Sequence, residues 1–450
     1  MIARQPLWIR NPLAILAKGD AAAGLVVEYG RIIELVPAGA MPTMADVAVF
    51  DASEHVVLPG LINTHHHFCQ TLTRACPPAL DQPLFPWLEA LYPIWARLSP
   101  DSFRIGVRLA MAELLLSGTT TTTDHHYVFP KGLEDAIDIE VEEAASLGLR
   151  VLLTRGSMSL SRDEGGLPPR EVVQREDQIL ADCERLIGRH HQTGAGVMVQ
   201  IALAPCSPFS VTDGLMRDSA ELAARHDVRL HTHLAETEDE EAWCRERFGC
   251  RPLDYLEDVG WLSDRVWLAH GIWFDEDEIR RLGRAKTAIS HCPTSNMILA
   301  SGCCQVPALE AAGAPVGIGV DGSASNDSSN LMEELRQAFL LQRLNHGAEH
   351  ISHHDTLRWA TSGSAACLGR TDIGRIAPGM QADLALFRLD ELRFSGAGDP
   401  LAALILCGAN HVDRVMVQGR WRVEDGRIPE LDLDCLRAEH RAAAEALALN

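Results

Sequence analysis

Val56-Val57-Leu58-Pro59-Gly60-Leu61-Ile62-Asn63-Thr64-His65-His66-His67 runs from an apolar stretch straight into three imidazoles. An apolar run of this kind reads as a strand buried on both faces, as parallel sheets require. In extended backbone alternate residues point the same way, so His65 and His67 share a side while His66 turns aside. The pattern recurs along the chain. Leu230-His231-Thr232-His233 leads into Leu234-Ala235-Glu236, Val266-Trp267-Leu268-Ala269 ends in His270, and Gly317-Ile318-Gly319-Val320 ends in Asp321. Histidines and a carboxylate at the C-terminal ends of successive strands suit a divalent metal at the mouth of a parallel barrel, where active sites of that fold lie. These residues imply a metal-dependent hydrolase.

Working outward, strand-like runs at 56–63, 119–124, 150–154, 198–204, 229–233, 266–270, 287–290 and 315–320 are expected. Helical patterns at 103–116, 134–147, 175–189, 215–226 and 275–282 separate most of them. That alternation predicts an α/β fold, a (β/α)8 TIM-like barrel. A doubly wound sheet is the alternative, but no Gly-rich dinucleotide or phosphate loop follows any of the runs. Val26-Val27-Glu28-Tyr29-Gly30-Arg31-Ile32 and Val415-Met416-Val417-Gln418-Gly419-Arg420-Trp421 read as hairpins of similar design at opposite ends. We therefore expect 1–57 and 376–450 to form a small β-sandwich domain and 58–375 the catalytic barrel. The Ala-rich end, 440–449, reads as a helix.

Composition narrows the function. With 46% apolar and 23% charged residues, the chain is expected to be a soluble folded protein. It lacks a secretory start, and no apolar run approaches ~18 residues, so the cytoplasm is the expected location and no membrane partner is expected. Twelve cysteines lack the density of a disulfide framework and are expected to be mostly reduced and buried. A net charge of -22 argues against a nucleic-acid partner, which needs clustered Lys and Arg. A small, uncharged or weakly basic substrate fits better.

Among 19 histidines a pair two apart is expected by chance, but a pair closing an apolar strand after Pro59-Gly60 is rarer and points to metal. Within His231-Thr232-His233, His233 is the better ligand because it lies nearer the strand end, and His231 reads as a buried neighbour. Val320-Asp321-Gly322 alone would be a turn; beside the other candidates Asp321 becomes a ligand.

The order His-x-His, His-x-x-Glu, His, Asp resembles the amidohydrolase superfamily, and within it the mononuclear aminohydrolase branch, which includes guanine, cytosine and S-adenosylhomocysteine deaminases and triazine hydrolases. The resemblance covers nearly the whole chain, including Ala204-Pro205-Cys206-Ser207-Pro208-Phe209-Ser210, His291-Cys292-Pro293-Thr294-Ser295-Asn296 and Pro378-Gly379-Met380-Gln381-Ala382-Asp383-Leu384. It implies one divalent metal, zinc or alternatively iron, on His65, His67, His233 and Asp321. Binuclear relatives need a carboxylated lysine on the fourth strand; Lys18, Lys131 and Lys286 are the only lysines and none lies there. The resemblance makes Glu236, His270 and Asp321 catalytic. A metal lowers the pKa of its water to about 7, Asp321 takes a proton, His270 orients the nucleophile, and Glu236 protonates a ring nitrogen and then supplies the departing amine. Homo-oligomers are common among such relatives, although no interface signature is visible.

For substrate contacts, Gln70 resembles the glutamine that guanine deaminases use on the purine edge, and its amide donates and accepts together. Trp95 and Tyr127 are candidate contacts, with Trp87 and Tyr92 nearby; ordinary helix packing is an equal reading of the tryptophans. Guanine deaminases carry Pro-Arg-Phe where this chain has Pro205-Cys206-Ser207-Pro208-Phe209, so Cys206 replaces their arginine. S-adenosylhomocysteine deaminases often carry histidine there. Ser117-Gly118-Thr119-Thr120-Thr121-Thr122-Thr123-Asp124-His125-His126-Tyr127, with the loop from His65 to Arg74, looks most like 8-oxoguanine deaminases, which yield urate and ammonia. Guanine, isocytosine or a triazine is the alternative substrate. A noncatalytic relative would have lost a ligand or Glu236, and the Pro-Cys-x-x-Cys signature of cytidine-type deaminases is absent.

Overall fold

A computed structural model describes residues 5–429 and 431–449. Its centre is a closed parallel barrel of eight strands: β1 (Leu61–Asn63), β2 (Thr119–His126), β3 (Arg150–Ser157), β4 (Val199–Pro205), β5 (Leu230–Leu234), β6 (Val266–His270), β7 (Ala288–His291) and β8 (Val316–Ile318). Each strand pairs with the next in sequence, and β8 closes on β1 through Ile318 opposite Asn63. Every residue of β1 to β3 and β5 to β8 is buried, as expected where helices cover one face and packed side chains fill the other. The helices begin at identifiable signals. Ser99 caps Pro100–Leu116 in a reciprocal capping box, and the Asp275 carboxylate accepts from the backbone N–H groups of Asp277 and Glu278 at the start of Glu276–Ala285.

The expected strand at 56–63 is two strands. His55–Pro59 pairs antiparallel with Leu384–Arg388 in a separate sheet, and only Leu61–Asn63 enters the barrel. The break falls at Gly60, whose N–H donates to Asp383 O at 2.8 Å. A Cβ there would stand 2.1 Å from Thr120 Oγ1, so the crossing requires glycine.

Two further sheets are built from the chain's outer segments. One orders Arg31–Val36, Gly24–Glu28, Leu7–Arg10 and Ala48–Asp51; the other orders Arg420–Val423, Arg414–Val417, Leu384–Arg388, His55–Pro59 and Ala14–Ile15. Ile9, Leu25 and Ile32 of the first share one apolar cluster with Val57, Leu384 and Met416 of the second. The two hairpins foreseen at opposite ends meet tip to tip: a Cβ on Gly419 would lie 2.8 Å from Gly30 Cα. The final helix runs Leu433–Leu449. All twelve cysteines are free, and no described helix is long and apolar enough to cross a membrane.

Candidate active site

The C-terminal ends of β1, β5, β6 and β8 bring five polar side chains to one point. Each of three imidazoles is tied at Nδ1. His67 Nδ1 lies 2.7 Å from His125 O, and His233 Nδ1 lies 2.7 Å from Cys206 O. A carbonyl only accepts, so both Nδ1 atoms carry the proton and both Nε2 atoms present lone pairs. The same holds for His65 by one further step. His231 donates from Nδ1 to Trp267 O at 2.8 Å, so its Nε2 accepts from His65 Nδ1 at 2.8 Å. Stacking on Trp267, with ring centroids 4.3 Å apart, holds His231 in that role.

Asp321 meets these lone pairs. Its Oδ1 is 3.2 Å from both His65 Nε2 and His67 Nε2, and His67 Nε2 is 3.3 Å from His233 Nε2. Lone pairs turned on a carboxylate oxygen repel it unless a cation or a proton lies among them; burial lowers His67, but its contact with the Asp321 carboxylate outweighs that and raises it above the ordinary imidazole range, and His65 Nε2 has no hydrogen-bond partner. Metal bonds of about 2.0–2.1 Å in a tetrahedron set ligand atoms about 3.3 Å apart, so the spacing fits. Burial pushes His65 well below the ordinary imidazole range and His233 down to about 3, which keeps both rings neutral. The arrangement fits a divalent metal.

His270 also offers a nitrogen, and one ligand atom from each of His65, His233, His270 and Asp321 lies within 4.8 Å of the others. Its separations are wider, however: Nε2 is 3.8 Å from Asp321 Oδ2 and 3.5 Å from Glu236 Oε2. His270 therefore bridges two carboxyl groups beside the cage, with Nδ1 held by Asn296 Oδ1 at 2.9 Å. Backbone strain marks this ring of residues. Ala235, His270 and Asp321 have φ of 53°, 69° and 61°, in the left-handed region that non-glycine residues avoid.

Glu236 is buried at the rim of the cage. Burial pushes its carboxyl well above the usual carboxylate range, and the Asp321 charge adds to the effect. Its backbone is clamped by Glu240, whose two oxygens accept from Ala235 N and Glu236 N, each at 3.0 Å.

Above this floor lies a cavity that opens to solvent. Leu84, Trp87, Leu88, Phe209 and Leu299 form an apolar wall; Gln70, Tyr92, Tyr127, Cys206 and Ser207 supply polar points. Gln70 Oε1 accepts weakly from Ala324 N at 3.4 Å and lies 1.8 Å from where a Cβ on Gly322 would stand, so Gly322 admits this side chain. Tyr127 packs edge-on to His67, with centroids 5.1 Å apart. Burial pushes the Cys206 thiol up to about 12, leaving a neutral, uncharged patch.

The sequence matches the amidohydrolase family across residues 56–422. The chain belongs to the amidohydrolase family. It is 65% identical over 442 residues to the 8-oxoguanine deaminase of Pseudomonas aeruginosa, covering 98% of each chain. It is 34% identical to the isoxanthopterin deaminase of an unknown prokaryotic organism, covering 98% of this chain and 96% of that one. In structure it resembles the atrazine chlorohydrolase of Arthrobacter aurescens TC1, solved in complex with zinc, with a TM-score of 0.92 at 33% identity over 97% of this chain and 100% of that one.

Within this amidohydrolase barrel, His65, His67, His233, Glu236, His270 and Asp321 come together, and Gln70, Cys206 and Tyr127 line the cavity. Trp95 does not. It is fully buried, donates from Nε1 to Thr73 Oγ1 at 3.1 Å, and packs behind Trp87 and Tyr127. Two turns beyond Trp87, the helix Leu84–Trp95 has passed behind the turn Phe68–Thr73. His125 and His126 also miss the cavity. The reading of the sequence passed over Asn296 and Glu240 as positioning residues. The signals were present: Asn296 closes the run from His291, and Glu240 follows Glu236 by one helical turn.

Proposed function

We propose that this amidohydrolase deaminates 8-oxoguanine by hydrolysis, giving urate and ammonia. The observation that carries the reading is 65% identity, over 98% of each chain, to an 8-oxoguanine deaminase. Supporting it is a cavity with a neutral thiol at Cys206 and an amide at Gln70, suited to a flat, uncharged heterocycle with lactam edges.

We assign the metal to His65, His67, His233 and Asp321, on the 3.2–3.3 Å separations of their ligand atoms, and take it to be zinc, which favours imidazole and carboxylate ligands. When bound, such a metal supplies a water that ionises near neutral pH. The remaining work belongs to the side chains. Asp321 has Oδ1 turned to the imidazoles and Oδ2 toward His270, so Oδ2 accepts one proton of the attacking water. His270, fixed by Asn296, restricts where that water sits. Glu236, held protonated by burial, donates to the ring nitrogen beside the amino-bearing carbon as the water oxygen adds to that carbon. Collapse breaks the carbon–amine bond: the proton on Asp321 leaves with ammonia, the new hydroxyl returns its proton to Glu236, and a carbonyl remains.

The test is ammonia release by zinc-loaded enzyme from 8-oxoguanine, guanine, isocytosine, S-adenosylhomocysteine and a hydroxytriazine. The highest kcat/KM is expected for 8-oxoguanine. Silence on 8-oxoguanine with turnover of another heterocycle overturns the substrate and leaves the hydrolytic chemistry standing.

A further inference from the structure

Strand β2 is polar on both faces. His125 turns into the barrel, where its Nε2 lies 2.9 Å from Ala204 O. Asp124 and His126, on the alternate face, meet Glu140 of the helix Ala136–Leu147 behind the barrel wall. All three are buried, at 0%, 1% and 0% exposure. One ligand atom from each lies within 4.8 Å of the other two.

These groups are short of partners. Asp124 Oδ1 accepts from Phe68 N at 2.6 Å, the Asp124 and Glu140 carboxyl groups lie against each other and the Val128 backbone lies beside His126; beyond these contacts Asp124 Oδ2, both Glu140 oxygens and both ring nitrogens of His126 have no well-formed hydrogen bond. Buried polar atoms are almost always paired, and buried carboxylates are paired with a cation or neutralised. Arg155, the cation whose charge reaches His126, is committed to Asp182, Gln174 and Gly156.

We propose that Asp124, His126 and Glu140 hold a second, structural divalent cation of the zinc or manganese class, closed off from solvent behind the catalytic centre. Two carboxylates and one imidazole suit that class, and their charge matches a divalent ion. The ion would pin β2 to the helix Ala136–Leu147 and fix the Asp124 carboxylate that receives the Phe68 N–H, the residue next to His67. The competing state is a proton shared between the two carboxyl groups; burial does push Asp124 up to about 6 and Glu140 well above the carboxylate range. A shared proton satisfies the two carboxyl groups and gives His126 no partner within the cluster; a cation engages all three side chains.

The test is metal content of protein expressed with zinc and manganese supplied, measured before and after dialysis against a chelator that reaches the open catalytic mouth. Two ions per chain before and one after are expected in the native protein. Glu140→Gln and His126→Phe are each expected to hold one before and none after. One ion before and none after in the native protein overturns the proposal in favour of the shared proton, as do two ions in both variants. Because the native protein alone decides the first comparison, poor folding of a variant does not remove the test. The readout needs no substrate, so it stands or falls separately from the deaminase reading.

Discussion

The floor of the catalytic cavity and its apolar wall are held in different ways. On the floor, every imidazole is fixed at its far nitrogen: His65 by His231, His67 and His233 by backbone carbonyls, His270 by Asn296. The wall is Leu84, Trp87, Leu88, Phe209 and Leu299, outside the barrel strands, where packing holds four of the side chains and Trp87 alone adds a hydrogen bond, from Nε1 to Ala324 O at 3.2 Å. Directional bonds from rigid strands fix reacting groups to fractions of an ångström, whereas apolar packing tolerates exchange of shape. The relatives are named for different substrates, 8-oxoguanine, isoxanthopterin and atrazine, and a packed wall absorbs such a difference more readily than the floor does.

The comparison can be broken at the floor first. Glu236→Gln keeps the shape and removes the proton, so kcat is expected to fall ~10²–10⁴-fold while metal content is unchanged; near-normal turnover would remove Glu236 from its role. Asn296→Ala frees His270 Nδ1 without touching the cage. A loss of roughly 10–100-fold, in kcat more than in KM, is expected from removal of such a supporting hydrogen bond, and an equal rise in KM alone would count against it. At the wall the effects should shrink. The Tyr92 hydroxyl is buried on the cavity without a hydrogen-bond partner, so Tyr92→Phe should cost about 2–12-fold in kcat/KM, the worth of one neutral hydrogen bond to substrate. No change would leave that hydroxyl without a part in recognition. Trp95→Phe is the smallest case: stability should drop by about 1–3 kcal/mol in denaturant unfolding, with kinetics near those of the native enzyme. A specific loss of substrate affinity there would put Trp95 back among the contacts.

Much of the floor was legible in the sequence because barrel geometry ties function to strand ends. His65, His67, His233, His270 and Asp321 each sit at or just past the end of an apolar run, and a period of two says which imidazoles share a face. Strand partnership is not written locally. Residues 56–63 form one apolar run, yet Pro59 and Leu61 belong to different sheets, and the reason is Thr120 standing against Gly60. The tryptophans failed similarly: Trp87 and Trp95 share a helix, but which of them sees the cavity depends on how that helix docks against Phe68–Thr73. Glu140 acts across elements, from a helix onto a strand, so no spacing within one segment reveals it.

The split at Gly60 also bears on the order in which the protein is made. His55–Pro59 leads directly into β1, the strand that closes the barrel and is followed by His65 and His67, but its neighbour Leu384–Arg388 leaves the ribosome only after all eight barrel strands. Domains form as synthesis proceeds from the N-terminus. The segment that leads to His65 and His67 therefore waits, tethered on one side only, until the other three strands of a five-stranded sheet begun near residue 14 have been translated.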